Sequence, residues 1–269
     1  MKNKTIKNRI LKPIVLINAG THGTEKVGVK IIKSIKNIKV IKGSVVFSVA
    51  HQKALLKNKR FFETDLNRSF PGKINGSLEE RLAYKLLPKI KSADIVIDIH
   101  STESGLTSSV IITKLTRQTI DLAQSTNARH VLYMEATKNN AFISSAKAGI
   151  GLEFGKDKSP KTFHDTKKAV LLVLKKFGMV SGIKAEPQRK KLYFHVLGPV
   201  LKPKGFKLSS KVRNFKLIKK GEIYATNKKD SKLKADMDFY PILFGEKRYK
   251  DIFGFKAYKL SKFKLQKIK

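Results

Sequence analysis

A histidine and a glutamate stand three residues apart at the end of an apolar run: His22 and Glu25 in INAGTHGTEKVG. An imidazole and a carboxylate at that spacing, on a turn entering a helix, can face one centre. With a third ligand they would form a catalytic zinc site of the two-histidine, one-glutamate kind, leaving one position open for water. His100 closes the apolar run DIVIDIH and is the candidate third ligand. Glu153 lies at the end of a further run, in GLEFG. A second polar cluster sits in KRFFETDLNRSFPG, which carries Arg60, Asp65, Asn67 and Arg68. A guanidinium forks onto both oxygens of a carboxylate and an amide adds a donor, so Asn67 and Arg68 suit a carboxylate ligand. Arg60 suits a developing oxyanion. Each feature taken singly has a plain alternative. Most H-x-x-E pairs mean nothing, a histidine ending a strand is more often a hydrogen-bonded structural residue, and a charged loop is often only a solvated turn. His51, His130, His164 and His195 lack comparable partners and read as structural or surface residues.

The elements that would position these groups can be read from periodicity. PIVLINAG, SVVFSVA, ADIVIDIH, SSVIIT, HVLYM and GIGLEFG read as buried strands, short and rich in β-branched residues. Between the first two, Val27, Ile31, Ile32 and Ile35 fall on one helical face. Ser77 with Glu80 three residues on predicts a capped helix start. Further helices are expected from about Thr116 to Asn127 and over TKKAVLLVLKKFG, with Gly178 as C-cap. Strand–helix alternation of this kind predicts an α/β domain with a mostly parallel sheet, in which sites form at the carboxyl ends of strands. His22, His100 and Glu153 all fall at or near such ends. The character changes near Ala185-Glu186-Pro187. From there short strands and turns predominate, in KLYFHVLG, GFKLS, GEIYAT, YPILFG and FGFKAYKL. The expected division is a catalytic domain over 1–184 and a β-rich domain over 185–269.

Composition bounds the rest. The chain has 269 residues, 41% of them hydrophobic, enough for a sizeable core. No apolar run approaches the roughly 20 residues that cross a membrane. The basic-then-apolar start, MKNKTIKNRILKPIVLINAG, reads as the first strand rather than a signal peptide, because its apolar part is short and holds Pro13 and Asn18. With no cysteine there is no disulfide framework, and a cytoplasmic location is expected. Lysine and arginine number 58 against 20 acidic residues, a net charge of +38. The excess is mostly lysine spread along the whole chain. It reads as a solvated surface rather than a clustered nucleic-acid stripe, and it would also steer an anionic substrate.

AGTHGTEKVG, DLNRSFPG, DIVIDIHST and GLEFG, in that order, resemble the succinylglutamate desuccinylase/aspartoacylase family, a branch of the zinc carboxypeptidase-like fold. YPILFGEKRY resembles the family's closing segment. The resemblance implies a mixed, mostly parallel sheet flanked by helices, with a smaller C-terminal β-rich domain. It implies one Zn2+ per chain held by His22, Glu25 and His100. Glu153 would be general base and then general acid, and Arg60 would polarise the scissile carbonyl. Asn67, Arg68 and Tyr249 would contact the substrate. Asp98 would orient a ligand or support the local fold, outside the catalytic set. The implied activity is removal of an acyl group from a small anionic N-acyl amino acid. Two alternatives stand beside it: a metallocarboxypeptidase of short peptides, and a basic nucleic-acid-binding protein on the same scaffold. No membrane partner is expected, and homo-oligomerisation is left open. One departure is informative. Aspartoacylase carries a tyrosine and an arginine shortly before the base, whereas NNAFISSAKAGIGLEFG has neither, and Lys147 is not at an equivalent position. N-acetylaspartate is therefore not implied as the substrate.

Overall fold

A computed structural model of the chain describes residues 12–184, 190–246 and 249–261. The first part alternates as its periodicity requires. Strand β1 (Ile14–Ala19) leads to helix α1 (Val27–Ile35), then β2 (Ser44–Val49) and the short α2 (Gln52–Leu56). Helix α3 (Leu78–Ser92) leads into β3 (Ile95–His100) and β4 (Ser109–Ile112). Helix α4 (Arg117–Ser125) precedes β5 (His130–Tyr133), and β6 (Ala148–Glu153) runs on to α5 (Pro160–Lys176). The remaining strands are β7 (Leu192–Leu201), β8 (Lys207–Leu208), β9 (Ile223–Thr226), β10 (Lys232–Lys234), β11 (Tyr240–Ile242) and β12 (Ile252–Lys259).

Caps set the helix ends. Ser77 Oγ accepts from the Glu80 amide and Glu80 Oε2 accepts from the Ser77 amide, the reciprocal box its spacing predicts. Thr116 caps α4 from outside rather than opening it, and that helix stops at Ser125. Helix α5 starts at Pro160, not at Thr166, because Ser159 caps it and proline at the first position is pre-set for a helix. Gly178 has φ +66° and lies one residue beyond the C-cap Phe177.

Nine strands form one sheet in the order β11-β12-β7-β5-β4-β6-β3-β1-β2. β2, β1, β3 and β6 run parallel to their neighbours, β4 is antiparallel to β6, and β4, β5 and β7 are again parallel. β12 and β11 close that edge in antiparallel pairing. β10, β9 and β8 make a separate antiparallel sheet. The result is the expected mixed, mostly parallel sheet flanked by helices, with a smaller antiparallel sheet from the C-terminal segment. β7, β11 and β12 extend the large sheet. The change of character at Ala185-Glu186-Pro187 lies outside the described residues.

Strand parity decides where a site can be. Val15, Ile17 and Ala19 of β1, Ile95, Ile97 and Ile99 of β3, and Ala148, Ile150 and Leu152 of β6 pack on α1 and α5. Their alternates face the other way. On that second face Leu16 and Val96 pack with Phe142, Ile143 and α3. Asp98, His100, Gly151 and Glu153 share this face, at the carboxyl ends of β3 and β6. The register pairs Asp98 with Gly151 and His100 with Glu153. One face thus carries the main core and the other opens at its end into a cleft.

Candidate metal centre

The turn after β1 brings His22 and Glu25 together. Its glycine is required by close approach: a Cβ on Gly23 would lie 2.1 Å from the Ala54 carbonyl carbon and 2.3 Å from the Lys59 oxygen. The Gly23 amide donates to the Arg60 carbonyl at 3.1 Å, so the same turn fixes where the Arg60 segment starts. His100 arrives from the end of β3. His22 Nδ1 lies 2.8 Å from Glu25 Oε1, and His100 Nδ1 lies 2.9 Å from Glu25 Oε2. One ligand atom from each of the three residues lies within 4.8 Å of the others, and all three residues are buried.

The far nitrogens of both rings are also held. His22 Nε2 faces Asp65 Oδ1 at 3.0 Å, and His100 Nε2 faces Asp98 Oδ2 at 2.8 Å. Carboxylates in this position fix the tautomer and aim of a ligating imidazole. Asp98 is itself fixed, since Asn18 Nδ2 donates to it at 2.8 Å and Thr21 Oγ1 at 2.9 Å. Asp65 also caps a 3-10 turn over Leu66–Arg68 by accepting from the Asn67 amide. Arg60 Nη1 donates to Glu25 Oε1 at 3.1 Å, and its Nη2 lies 3.0 Å from His22 Nε2 and 3.3 Å from Asp65 Oδ2.

The cluster favours a cation. Burial pushes the Glu25 carboxyl up, but His22 and His100 outweigh it and hold it well below the ordinary carboxylate range. Burial lowers the His100 imidazole, but Asp98 and Glu25 outweigh it and hold the ring well above its usual value. Burial likewise opposes ionisation of Asp65, and His22, Arg60 and Arg68 reverse it. Glu25, Asp65 and Asp98, three of only 20 acidic residues, surround two imidazoles and one guanidinium. Two imidazole nitrogens and a carboxylate also suit a divalent metal of borderline softness. The residues present therefore fit a metal ion.

Seven of the eight residues expected from the sequence line one cleft: His22, Arg60, Asn67, Arg68, His100, Glu153 and Tyr249. Glu25, the eighth, lies behind them against both imidazoles. Glu153 is buried beside His100 across the β3–β6 ladder. Asn67 Oδ1 accepts from the Phe142 amide at 2.9 Å, which commits its oxygen and leaves its NH2 as the donor for a ligand. Arg68 is exposed at the rim, donating to the Asn67 carbonyl. Tyr249 is half-buried, edge-on to Phe255, with its carbonyl accepting from Lys202 Nζ at 2.7 Å.

Three residues matter more than their sequence context shows. Asp65 and Asp98 stand behind the imidazoles as described. Glu79, on α3, is fully buried and accepts from the amides of Phe62, Glu63 and Thr64 at 2.7, 3.2 and 3.1 Å and from His51 Nε2 at 3.0 Å. It thereby tethers the loop that runs from Arg60 to Arg68. Glu79 sits inside the predicted capping segment, where a glutamate passes for a helix-start residue. The only available signal was its place two residues after Ser77, on a helix whose apolar face it should have avoided.

Comparison with known proteins identifies the family and the fold. A family model described as the succinylglutamate desuccinylase/aspartoacylase catalytic domain matches residues 12–176. The chain is 27% identical over 164 residues to a probable aspartoacylase of Acaryochloris marina, a match covering 52% of this chain and 54% of that protein. It is 24% identical over 213 residues to an N-alpha-acetyl-L-2,4-diaminobutyric acid deacetylase of Halomonas elongata, covering 70% and 62%. The chain thus spans somewhat over half the length of these relatives. In fold it is similar to murine aminoacylase 3, with TM-score 0.75 at 20% identity over 91% of this chain and 95% of that one. It is also similar to a succinylglutamate desuccinylase/aspartoacylase from Rhodobacter sphaeroides, with TM-score 0.72 at 22% identity over 92% and 85%. From β1 through α5, the stretch that carries His22, Glu25, His100, the cleft loop and Glu153, the chain belongs to the succinylglutamate desuccinylase/aspartoacylase family.

Proposed function

We propose that this chain is a zinc-dependent amidohydrolase that removes the acyl group from a small anionic N-acyl amino acid. The observation that carries the reading is the convergence of His22, Glu25 and His100 on one buried point, with Glu153 in register beside His100. Family membership and the names of the two relatives, an aspartoacylase and a deacetylase, support cleavage of a linear amide. One zinc held by His22, Glu25 and His100 would supply a water acidified to near neutrality and a Lewis-acid contact for the scissile carbonyl.

The protein's own groups do the rest. Glu153 takes the proton of the attacking water on one carboxylate oxygen and returns it to the departing amine nitrogen. Arg60, already within 3.1 Å of Glu25, turns its guanidinium onto the carbonyl oxygen as negative charge develops there. The Asn67 amide and the Arg68 guanidinium hold the substrate carboxylate. Tyr249 closes the cleft from the C-terminal segment, and residues 185–269 act as a β-rich domain that excludes long peptides. Asp65 and Asp98 keep both imidazoles aimed. The lysine-rich surface draws the anionic substrate in. Among the described residues no helix is long and apolar enough to cross a membrane, and we place the reaction in the cytoplasm.

Elemental analysis of metal per chain, on wild type and His100→Ala in parallel, tests the reading. About one zinc in wild type, lost in the variant, supports it. No metal in wild type after zinc is supplied at neutral pH overturns it. Glu153→Gln in the same series keeps the metal and loses roughly 10²–10⁴-fold in kcat.

A further inference from the structure

The lining of the cleft has two chemistries. His22, His100, Glu153 and the two arginines are polar. Ile111, Met134, Ile143 and Leu243 form an apolar wall, in which Ile111, Met134 and Leu243 pack in one cluster and Ile111 and Ile143 meet beside Gly151. Leu243, buried in this wall, has a left-handed backbone, φ +56°, uncommon outside glycine. Two threonines, Thr113 and Thr137, also line the cleft, and each hydroxyl already has a partner within the protein. Thr113 Oγ1 lies 3.0 Å from Ser144 Oγ, and Thr137 Oγ1 donates to the Met134 carbonyl at 3.1 Å.

The nearby cations are committed elsewhere. Lys147 Nζ lies 3.3 Å from Asp94 Oδ1, at the amino end of β6 and so a strand's length from Glu153. Lys114 Nζ donates to the Ala146 carbonyl at 2.8 Å, and Lys138 pairs with Glu135 at the surface. Among the described residues lining the cleft, the only lysine or arginine side chains are Arg60, bonded to Glu25, and Arg68, exposed at the rim. A second carboxylate set against the apolar wall would lose its water and, among the described residues, meet no further lysine or arginine there.

Two glycines of β6 sharpen the point. On Gly149 a Cβ would lie 2.6 Å from the Ile143 carbonyl oxygen, so the packing of the 142–145 turn demands glycine there. On Gly151 a Cβ would meet Ile111 at 3.6 Å and Ile143 at 3.8 Å, ordinary contacts. Neither crowding nor a positive φ requires glycine at 151. What its hydrogen leaves is room, on the same face as Glu153 and beside the apolar wall.

We propose that this recess takes an uncharged aliphatic substituent of the substrate, with Gly151 setting its depth. The chain would then prefer N-acyl amino acids that carry one carboxylate, held by Asn67 and Arg68, and one apolar group. This rests on the hydrolase reading above. The apolar group is either the acyl chain or the amino-acid side chain, and two substrate series separate them. One series fixes the acetyl group and compares N-acetyl-alanine, -leucine and -methionine with N-acetyl-aspartate and -glutamate. The other fixes glycine and compares acetyl, butyryl and hexanoyl with succinyl.

In at least one series the aliphatic members should exceed their acidic counterparts by roughly 10–200-fold in kcat/KM, the discrimination an apolar pocket supplies. Gly151→Ala, whose methyl fits without displacement, should shift the optimum to a shorter chain, and Met134→Ala to a longer one, with metal content unchanged. Preference for the acidic members in both series would overturn this inference and leave the hydrolase reading standing. An optimum unmoved by both variants would also overturn it. Activity on no member of either series would overturn both.

Discussion

Two buried histidine–glutamate clusters in this molecule look alike and are built differently. His22 and His100 flank Glu25 at 2.8 and 2.9 Å, and His51 meets Glu79 at 3.0 Å. The difference lies in the remaining lone pairs. Glu79 spends its oxygens on three backbone amides of residues 62–64, groups that cannot move without unfolding the loop. Glu25 spends its oxygens mainly on imidazole and guanidinium nitrogens, with one backbone amide, Ser101, at 3.2 Å. A cation can replace those side-chain partners. A carboxylate bonded to backbone is a fastener. A carboxylate bonded to rings that are themselves steered by Asp65 and Asp98 has the setting of a metal ligand.

A cross-over of variants would break this contrast if it is wrong. Glu25→Ala should abolish metal binding and lower kcat/KM about 10³-fold or more, the several kcal/mol a Lewis acid supplies. Glu79→Ala should instead leave about one metal per chain while lowering unfolding stability by roughly 3–5 kcal/mol, the usual effect of breaking a buried charged pair. Chemical denaturation alongside metal analysis reads both. If the two variants behaved alike, the distinction would collapse.

Smaller effects sharpen it. Asp98→Asn keeps the shape but not the charge behind His100, and should weaken metal affinity by about 10–100-fold; competition with a chelator measures this. The Glu79 carboxyl should also report through pH. Burial raises it, but His51 and the amides of 62–64 outweigh burial and hold it below its ordinary 4.5. A depressed folded value means the stabilisation is complete above the unfolded value and is lost as pH falls through the folded one. Denaturation midpoints of wild type should therefore fall in acid more steeply than those of Glu79→Gln.

A fourth buried histidine marks the limit of the comparison. His130 has no carboxylate, and its ring stacks on Phe215 at 3.7 Å. Burial, aided by Arg129 and opposed by the Thr107 carbonyl, pushes it down to about 4. Between 6.5 and that value the unfolded chain binds a proton that the folded chain refuses, so stability falls as pH falls across this window. His130→Phe should flatten the dependence of melting temperature on pH there, with no change in metal content.

Much of this was legible in the sequence. The strands and helices of the first part follow from apolar periodicity, and Ser77 and Glu80 announce their cap. His22, Glu25, His100 and Glu153 fall at or near strand ends, where α/β sheets place chemistry. What stayed hidden is long-range. Nothing local pairs Glu79 with His51 across 28 residues, or Lys147 with Asp94 across 53. Nor does local pattern show that Leu192–Leu201 pairs parallel with β5, since register is decided by partners and not by the strand itself. The partners of the Thr113 and Thr137 hydroxyls belong to the same class, because a side chain's polarity can be read from sequence but its partners cannot.

The pairing of His100 with Glu153 has a thermal consequence. The two residues are register partners on adjacent parallel strands, so their spacing is a spacing of the sheet, about 4.8 Å from strand to strand. Heating cannot widen it by degrees; the ladder either holds or melts. Catalytic inactivation on a temperature ramp should therefore coincide with cooperative unfolding. The amides of Ile97 and Ile150, in the middle of that ladder, should exchange with deuterium only when the whole sheet opens.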